Sequence, residues 1–363
     1  LFPSKNNLGI KMILINGSFL CRSLTGIERF AFEICKNLDE LALKDEIAIY
    51  IPKNAKTKVE YKNIKCIYSK KNCKSFPIWD HITFSVFLKK NGFIPLDFAN
   101  VTPFFTPGLV FIHDIYAKVF PKDFTSFKEK LIKTYMCLMY RHAIKHAKKL
   151  MTVSEFSKNQ IAEVYNVDKD EISVVPNGWD HFKNIDEDKS VLKKFPKLNE
   201  QEFYFTLGSL QKRKNLKWIA KHAKNHPDEL FAVSGKIVSG MQSNEINDLK
   251  TLPNVVLLGY VSDGEVKTLM KKCKAFIFPS YYEGFGIPPL EALSVGAQIV
   301  VSKASCLPEI YGKTSHYIDP NNPEVSLEEI LAQPVSSPET ILEYYTYKNS
   351  AKKLYGILKE CNH

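Results

Sequence analysis

Between residues 203 and 319, six short apolar runs alternate with stretches of helical pattern. The runs are "FYFTLGS" (203–209), "LFAVSG" (230–235), "VVLLGYV" (255–261), "AFIFPS" (275–280), "QIVVSK" (298–303) and "HYID" (316–319). A strand with one face in water alternates polar and apolar residues, whereas a strand covered by helices on both faces reads as a continuous apolar run. The pattern therefore predicts parallel strands separated by helices, the doubly wound α/β arrangement.

The first half has a similar grammar. "MILING" (12–17), "EIAIYIP" (46–52), "LVFIHD" (109–114), "KLMTVS" (149–154) and "ISVVPNG" (172–178) read as strands, with a helix near 27–42. A chain of 363 residues is long for one core, so two domains are expected. The polar stretch "DHFKNIDEDKSVLKKFPKLNEQE" (180–202) is read as the linker. The expected division is 1–180, completed by a C-terminal helix at about 341–363, against 181–340. Open α/β sheets bind ligands beyond the carboxyl ends of their strands, so two in tandem imply an interdomain cleft for a small ligand. Functional residues should then follow strands.

Composition narrows the classes. Hydrophobic residues at 45% and charged residues at 25% are typical of globular proteins. No run approaches the ~18 apolar residues of a membrane span, and no signal-peptide pattern is present, so a cytoplasmic protein is expected. The cysteines (21, 35, 66, 73, 137, 273, 306 and 361) form no CxxC pair, which fits free thiols in a reducing compartment. Two D-x-D strings, Asp168/Asp170 and Asp186/Asp188, lie in polar, loop-like surroundings and read as solvated carboxylates. No metal is expected. The net charge of +11 is concentrated in residues 51–150, which hold 19 Lys+Arg against 6 Asp+Glu. There "FKEKLIKTYMCLMYRHAIKHAKKL" (127–150) has helical periodicity and many cations. It is either a basic solvated helix face or an attachment to an anionic membrane surface. Nucleic acid would also attract such a patch, but no nucleic-acid-binding signature accompanies it.

Two turns stand out. "YYEGFGIPPLEAL" (281–293) follows the run "AFIFPS". Gly284 and Gly286 permit close backbone approach, and Pro288 and Pro289 suit a helix start. Such a start offers free N–H groups and a positive dipole end to an anion, most simply a diphosphate. Glu291 in the first turn could accept hydrogen bonds from a diol such as a ribose, with Glu283 across the phosphates facing another polyol. A carboxylate that merely complements the helix dipole is the ordinary alternative for Glu291. "GSLQKRKNL" (208–216) places Arg213 and Lys214 before a helix, cations suited to phosphate. In the first half, Gly26 of "SLTGIERF" precedes a helix, and His113 with Asp114 end the strand "FIHD". Ser154 reads as a helix cap, and Asn177 and Gly178 as a structural turn.

Taken together these stretches resemble the retaining nucleotide-sugar glycosyltransferases of the GT-B fold, specifically family four. The likeness runs from "MILING" through "TGIERF", "FIHD", "TVSEFSKNQI", "VVPNGWD", "GSLQKRKNL" and "FPSYYEGFGIPPLEAL" to "CLPEIYG", nearly the whole chain. Glu283 and Glu291 match the family's E-x7-E motif. The resemblance implies that Glu291 binds the ribose hydroxyls and Glu283 the donor sugar. Phe285, Gly286 and Ile287 would line the sugar–phosphate site, and Lys214 with Arg213 would neutralise the diphosphate. Gly26 would approach the phosphates, His113 would touch the transferred sugar, and Asp114 would orient His113 or the acceptor. Ser209 stands where many members have arginine, and Thr25 where many have a second glycine, which leaves more phosphate charge to Lys214 and Arg213. The implied partners are a nucleotide-diphosphate sugar, with GDP-mannose favoured, and a saccharide or lipid-linked acceptor of lipopolysaccharide or capsule assembly. No cofactor and no nucleic acid are implied. The protein would be cytoplasmic, with peripheral contact at the inner membrane face. A nucleotide-sugar epimerase and a non-catalytic sugar-nucleotide or membrane-binding protein are the alternatives.

Overall fold

The computed structural model describes residues 11–24, 26–208, 211–235 and 244–361. The chain divides into two compact units, one running to Gly178 and resuming at Tyr345, the other Trp179–Tyr344.

The first unit is built on strands β1 (Ile13–Asn16), β2 (Ile47–Ile51), β3 (Lys65–Tyr68), β4 (Ile94–Asp97), β5 (Leu109–Phe111), β6 (Lys149–Thr152) and β7 (Ile172–Val174). Their order is β3-β2-β1-β4-β5-β6-β7. The second unit carries β8 (Tyr204–Leu207), β9 (Phe231–Ser234), β10 (Val255–Gly259), β11 (Ala275–Phe278), β12 (Ile299–Ser302) and β13 (His316–Ile318), ordered β10-β9-β8-β11-β12-β13. The described pairings are parallel in both sheets. Each sheet reverses its strand order once, between β1 and β4 and between β8 and β11. The crevice beyond the carboxyl ends at such a reversal is where doubly wound sheets take ligands.

The continuous apolar runs of the second half correspond to β8–β13, with Phe205, Ala232, Ile277 and Val300 fully buried. In the first half, β3 and β4 were not anticipated. β4 contains Pro95, which ordinarily argues against a central strand. The ladder explains its place. Ile94 N–H donates to Met12 O on the β1 side, so the N–H that proline lacks would point toward β5. Pairing on that side begins only at Leu96 with Leu109. Gly108 completes the accommodation, because a Cβ there would lie 2.4 Å from Pro95 O.

The stretch 180–202 is a further correction, since it is folded and part of the second unit. A 3-10 turn (Asp180–Asn184) and short helices Ser190–Lys194 and Lys197–Glu200 bury Phe182, Val191 and Leu198. Lys267 Nζ donates to Phe182 O at 3.0 Å and Ile185 O at 2.7 Å. The stretch is polar because each short element turns only one or two residues inward. The chain returns to the first unit through the helix Tyr347–Glu360, whose Tyr347, Ala351 and Leu354 are fully buried. It packs against the helix Ile27–Leu41, which buries Phe30, Ala31, Ile34 and Leu38. Burying each such large apolar side chain contributes about 1.5–3 kcal/mol.

Candidate active site

At the strand reversal of the second sheet, the turn after β8 meets the turn after β11. Lys212–Lys214 form a 3-10 turn that ends on Asn215 at φ +57°. Asn215 tolerates this left-handed conformation, and its amide donates to Pro279 O at 3.0 Å and Pro320 O at 2.8 Å. Tyr281 N–H donates to Arg213 O at 3.0 Å, so backbone also ties the turns together. Gly208 packs against the stem of Lys214, where a Cβ would meet Lys214 Cγ at 3.2 Å.

The result is an ion cluster. Lys214 Nζ donates to Glu283 Oε1 at 2.6 Å, and Arg213 Nη1 lies 3.6 Å from Glu283 Oε2. The Glu283 side chain is 6% exposed, while those of Lys214 and Arg213 retain 14% and 20%. Burial works against the Glu283 charge, yet Lys214 and Arg213 together hold its carboxyl below the ordinary glutamate value. The cluster therefore keeps a carboxylate fixed and leaves two cations with edges toward solvent.

The loop between the glutamates is held from behind. Cys306 Sγ donates to Glu283 O at 3.3 Å and Phe285 O at 3.2 Å, Tyr311 Oη donates to Gly286 O, and Glu283 N–H donates to Ser305 Oγ at 3.1 Å. Gly286 has φ +85°, a conformation that calls for glycine, and a Cβ there would lie 2.8 Å from Leu307 Cδ2 and push that side chain aside. Phe285 is buried. Ile287 caps the helix Pro288–Ser294. The helix start offers an anion less than its sequence promises. Pro288 and Pro289 have no N–H, and the N–H groups of Leu290 and Glu291 both donate to Ile287 O, at 2.9 and 3.3 Å.

Glu291 is held separately from Glu283. Its Oε1 lies 3.2 Å from His181 Nε2, and the His181 side chain is only 4% exposed. His181 went unnoticed in the sequence because it sits in the stretch read as linker. Ser209 lies outside the described residues.

In the first unit, His113 follows β5 and is buried against Phe30, whose ring meets it edge-on at 5.0 Å. Its Nε2 lies 2.9 Å from Phe98 O. A carbonyl only accepts, so Nε2 carries the proton and the neutral ring has its acceptor lone pair at Nδ1. Burial lowers the pKa to about 4, against the opposing influence of Phe98 O and Asp114. Asp114 was expected to orient this ring or the acceptor. The Nε2 hydrogen bond goes to the Phe98 carbonyl, and Asp114 Oδ1 accepts from Tyr116 N at 3.0 Å, starting the next helical turn. Gly26 begins the helix Ile27–Leu41 at φ +52°, ψ −111°, and a Cβ there would meet nothing within 4 Å. Its need for glycine is conformational, and the space beside it is open.

The strand reversal of the first sheet holds a cluster that the sequence did not reveal. Asn16 Nδ2 donates to Asp80 Oδ1 at 2.8 Å and Asp97 Oδ1 at 2.9 Å, and Trp79 Nε1 donates to Asn16 Oδ1 at 2.9 Å. All three polar side chains are buried, and Asp97 Oδ2 has no partner among the described residues. Burial raises Asp80 to about 6, despite Asn16 and Arg22, and raises Asp97 well above the carboxylate range, with Asp80 adding to it. The residues come from strand ends and from the helical stretch Trp79–Phe84, so no local spacing links them.

Two doubly wound parallel sheets define the GT-B class of glycosyltransferase fold. The fold comparison agrees: sucrose-phosphate synthase from Thermosynechococcus elongatus superposes with a TM-score of 0.72 at 12% identity, over 96% of this chain and 98% of that one. Two family models match successive stretches, Glycosyltransferase Family 4 over residues 24–181 and Glycosyl transferases group 1 over residues 188–345. The chain belongs to this group 1, family 4 set of glycosyltransferases, and is an enzyme of that kind. Among its relatives is the O-antigen chain mannosyltransferase RfbU of Salmonella typhimurium, 26% identical over 92% of this chain and 94% of that one. O-antigen chain mannosyltransferase B of Escherichia coli is 30% identical over 58% of this chain and 56% of that relative.

Proposed function

We propose that this glycosyltransferase moves a hexosyl group from a nucleotide diphosphate sugar to a hydroxyl of a saccharide or lipid-linked saccharide, with retained anomeric configuration. The carrying observation is the Lys214–Arg213–Glu283 cluster at the ligand-binding edge of the second sheet. GDP-mannose is the favoured donor and cell-surface polysaccharide assembly the favoured setting, because the relatives above are named as O-antigen mannosyltransferases.

In this reading Lys214 and Arg213 meet the diphosphate, whose developing charge is the largest demand as the sugar acquires oxocarbenium character. Glu283 is an anchor that fixes the two cations and presents its remaining acceptor capacity to sugar hydroxyls. Backbone groups of Phe285, Gly286 and Ile287 line the sugar–phosphate region, and Ser209 is assigned to it by position. Glu291, held by His181, takes the ribose hydroxyls. His113 uses its Nδ1 lone pair to accept from a donor-sugar hydroxyl, Asp114 serves the acceptor side, and Gly26 lets backbone approach the phosphates. Retention follows from same-face attack, with a diphosphate oxygen taking the acceptor's proton. No step calls for a metal.

Purified protein is incubated with GDP-mannose and candidate acceptors, with and without chelator, and products are resolved by mass spectrometry and NMR. Transfer with an α-linked product that survives chelation is expected. An inverted linkage, or turnover that stops with chelator, would overturn the mechanism. Isomerised sugar from donor alone would make the protein an epimerase.

Peripheral membrane attachment is part of the proposal. Among the described residues no helix is long and apolar enough to cross a membrane. The helix Phe127–His146 exposes Phe127 (78%), Leu131 and Leu138 between its lysines. His81 Nε2 lies 3.0 Å from Tyr135 Oη of this helix, joining it to the stretch that exposes Ile78, Ile82 and Val86. A pocket of about 610 Å³ beside it is lined by Lys118, Lys133 and Arg141 and by no carboxylate. Apolar side chains among cations suit an anionic lipid surface. Co-sedimentation with phosphatidylglycerol vesicles is expected, and it should fall in a Lys128→Glu/Lys130→Glu/Lys133→Glu variant. Equal binding by that variant would refute the surface.

A further inference from the structure

We propose that Cys21 and Cys73 form a reversible redox pair, two thiols that a small-molecule disulfide oxidises to a cross-link between the loops after β1 and β3. Strand order brings them together. The first sheet begins β3-β2-β1, so the carboxyl ends of these strands are neighbours although the cysteines stand far apart in the sequence. Cys21 closes the 3-10 turn Gly17–Cys21 that follows β1, and Cys73 lies in the loop that follows β3. Both belong to the apolar cluster that contains Tyr50, Trp79 and Phe84.

The loop after β2 holds the pair in place. Asn54 Oδ1 accepts from Cys73 N at 2.6 Å and from Cys21 Sγ at 3.8 Å, while Asn54 Nδ2 donates to Cys73 O at 3.2 Å. Leu20 O accepts from Lys56 N at 2.8 Å and Thr57 N at 3.2 Å, which fixes the turn beside Cys21 to the same loop. One amide oxygen thus gathers both cysteines, and the thiols lie within hydrogen-bonding reach of each other. Sulfurs that start close can join without the backbone movement that stores strain in a disulfide.

The two thiols are unequal, and the inequality assigns their roles. The Cys73 thiol, against the opposing effect of burial and with help from Lys56 and Arg22, holds Cys21 below the ordinary thiol pKa. Cys73 is raised, by Cys21 first and then by burial. Cys21 is therefore the attacking thiolate. It bonds to one sulfur of the small disulfide and expels the other as a thiolate. Cys73 sulfur then attacks Cys21 sulfur and expels the second small thiolate, and the two protein protons leave with these products. Two protein thiols are oxidised by two electrons, and one disulfide is reduced to two thiols. Burial sets the size of the oxidant. Cys21 is 9% exposed and Cys73 5%, while Asn54, Lys56, Asn72 and Lys74 beside them are exposed.

Cys35 and Cys66 supply a contrast in the same unit. Burial is the main influence on both and raises both, Cys35 is fully buried, and Tyr61 gives Cys35 a hydrogen bond. Neither offers the lowered thiol that begins the exchange. Oxidation of Cys21 and Cys73 has a mechanical consequence. The turn that leads toward Gly26 becomes covalently fastened to the loop after β3, so this edge of the first sheet is braced.

The test uses the full chain, reduced, freed of reductant and exposed to hydroxyethyl disulfide. After the remaining thiols are alkylated and the protein is digested, mass spectrometry is expected to find Cys21 joined to Cys73. The Tm should rise on oxidation, and dithiothreitol should reverse both changes. Cys73→Ser should leave Cys21 trapped as a mixed disulfide with mercaptoethanol, and Cys21→Ser should slow modification of Cys73 about tenfold or more. Absence of the Cys21–Cys73 peptide from the folded wild-type protein, or a predominant Cys35–Cys66 link, would overturn the pair without recourse to any variant. An unmodified Cys21 in Cys73→Ser, or equally fast modification of Cys73 in Cys21→Ser, would overturn the assigned roles. A Tm that does not rise would overturn the bracing.

Discussion

The two sheets reverse their strand order in the same way, yet the two reversal points carry opposite chemistry. Beyond β8 and β11, two cations are fixed on one carboxylate and keep edges toward solvent. Beyond β1 and β4, two carboxylates share one asparagine in a closed, buried setting, and burial pushes the Asp97 carboxyl up. One topology thus yields a point that presents two cations and a point built around two buried carboxylates. Nearby, the buried His113 ring is neutral. The difference teaches that the fold determines where a ligand can bind, while the side chains brought to that edge determine its charge.

Removing a cation should break this comparison most severely. Lys214→Ala is expected to reduce transfer about 10²–10³-fold in steady-state assays, the usual cost of one transition-state charge contact, while circular dichroism stays native. Full activity would deny the second reversal point its assigned role. Glu291→Ala should act on the same scale through donor binding, and His181→Ala should raise KM for donor with a smaller effect on kcat.

Neutralising the anchor should show next. Glu283→Gln leaves Lys214 and Arg213 facing each other with weaker pairing, and a loss of about 1–3 kcal/mol in denaturant unfolding is expected. An unchanged or higher midpoint would mean that the cluster is not held by its carboxylate.

The first reversal point can be read through pH. His113 has a folded pKa near 4 against an ordinary 6.5, so the unfolded chain binds more protons between those values. Stability from this residue is therefore present above pH 6.5 and lost as pH falls toward 4, on the order of 3 kcal/mol in all. Substitution by glutamine should flatten that part of the unfolding profile. Asp80 runs the other way. Its raised pKa of about 6 makes the folded state bind more protons, so stability declines as pH rises from about 4 to 6. Burial pushes Asp97 toward its protonated form, so Asp97→Asn, which keeps an acceptor for Asn16 Nδ2, should cost less stability at pH 7 than Asp97→Ala, which removes it. A larger loss for the amide than for alanine would show that Asp97 is charged.

Much of the second sheet was legible because burial on both faces leaves a local trace, the continuous apolar run. β3 and β4 left a weaker one: β3 is only partly buried, with Tyr68 exposed, and β4 is disguised by Pro95. The stretch 180–202 read as linker because short helices bury too few residues to outweigh their charge. The turn containing Glu283 and Glu291 could be picked out by spacing and by following a strand, but the engagement of the Leu290 and Glu291 N–H groups by Ile287 O could not.

By itself, the sequence determined the strand-and-helix alternation, the glycines where backbone must bend, and the presence of cations after β8 and carboxylates after β11. These are local properties, fixed by periodicity and by the conformational reach of each residue. Only the tertiary structure decided who meets whom. Lys214 and Glu283 are separated by 69 residues and Asn16 and Asp97 by 81, and His181 reaches Glu291 from a stretch with no motif. Strand order makes these pairs, and strand order arises from packing across the whole sheet, which no local run of residues records.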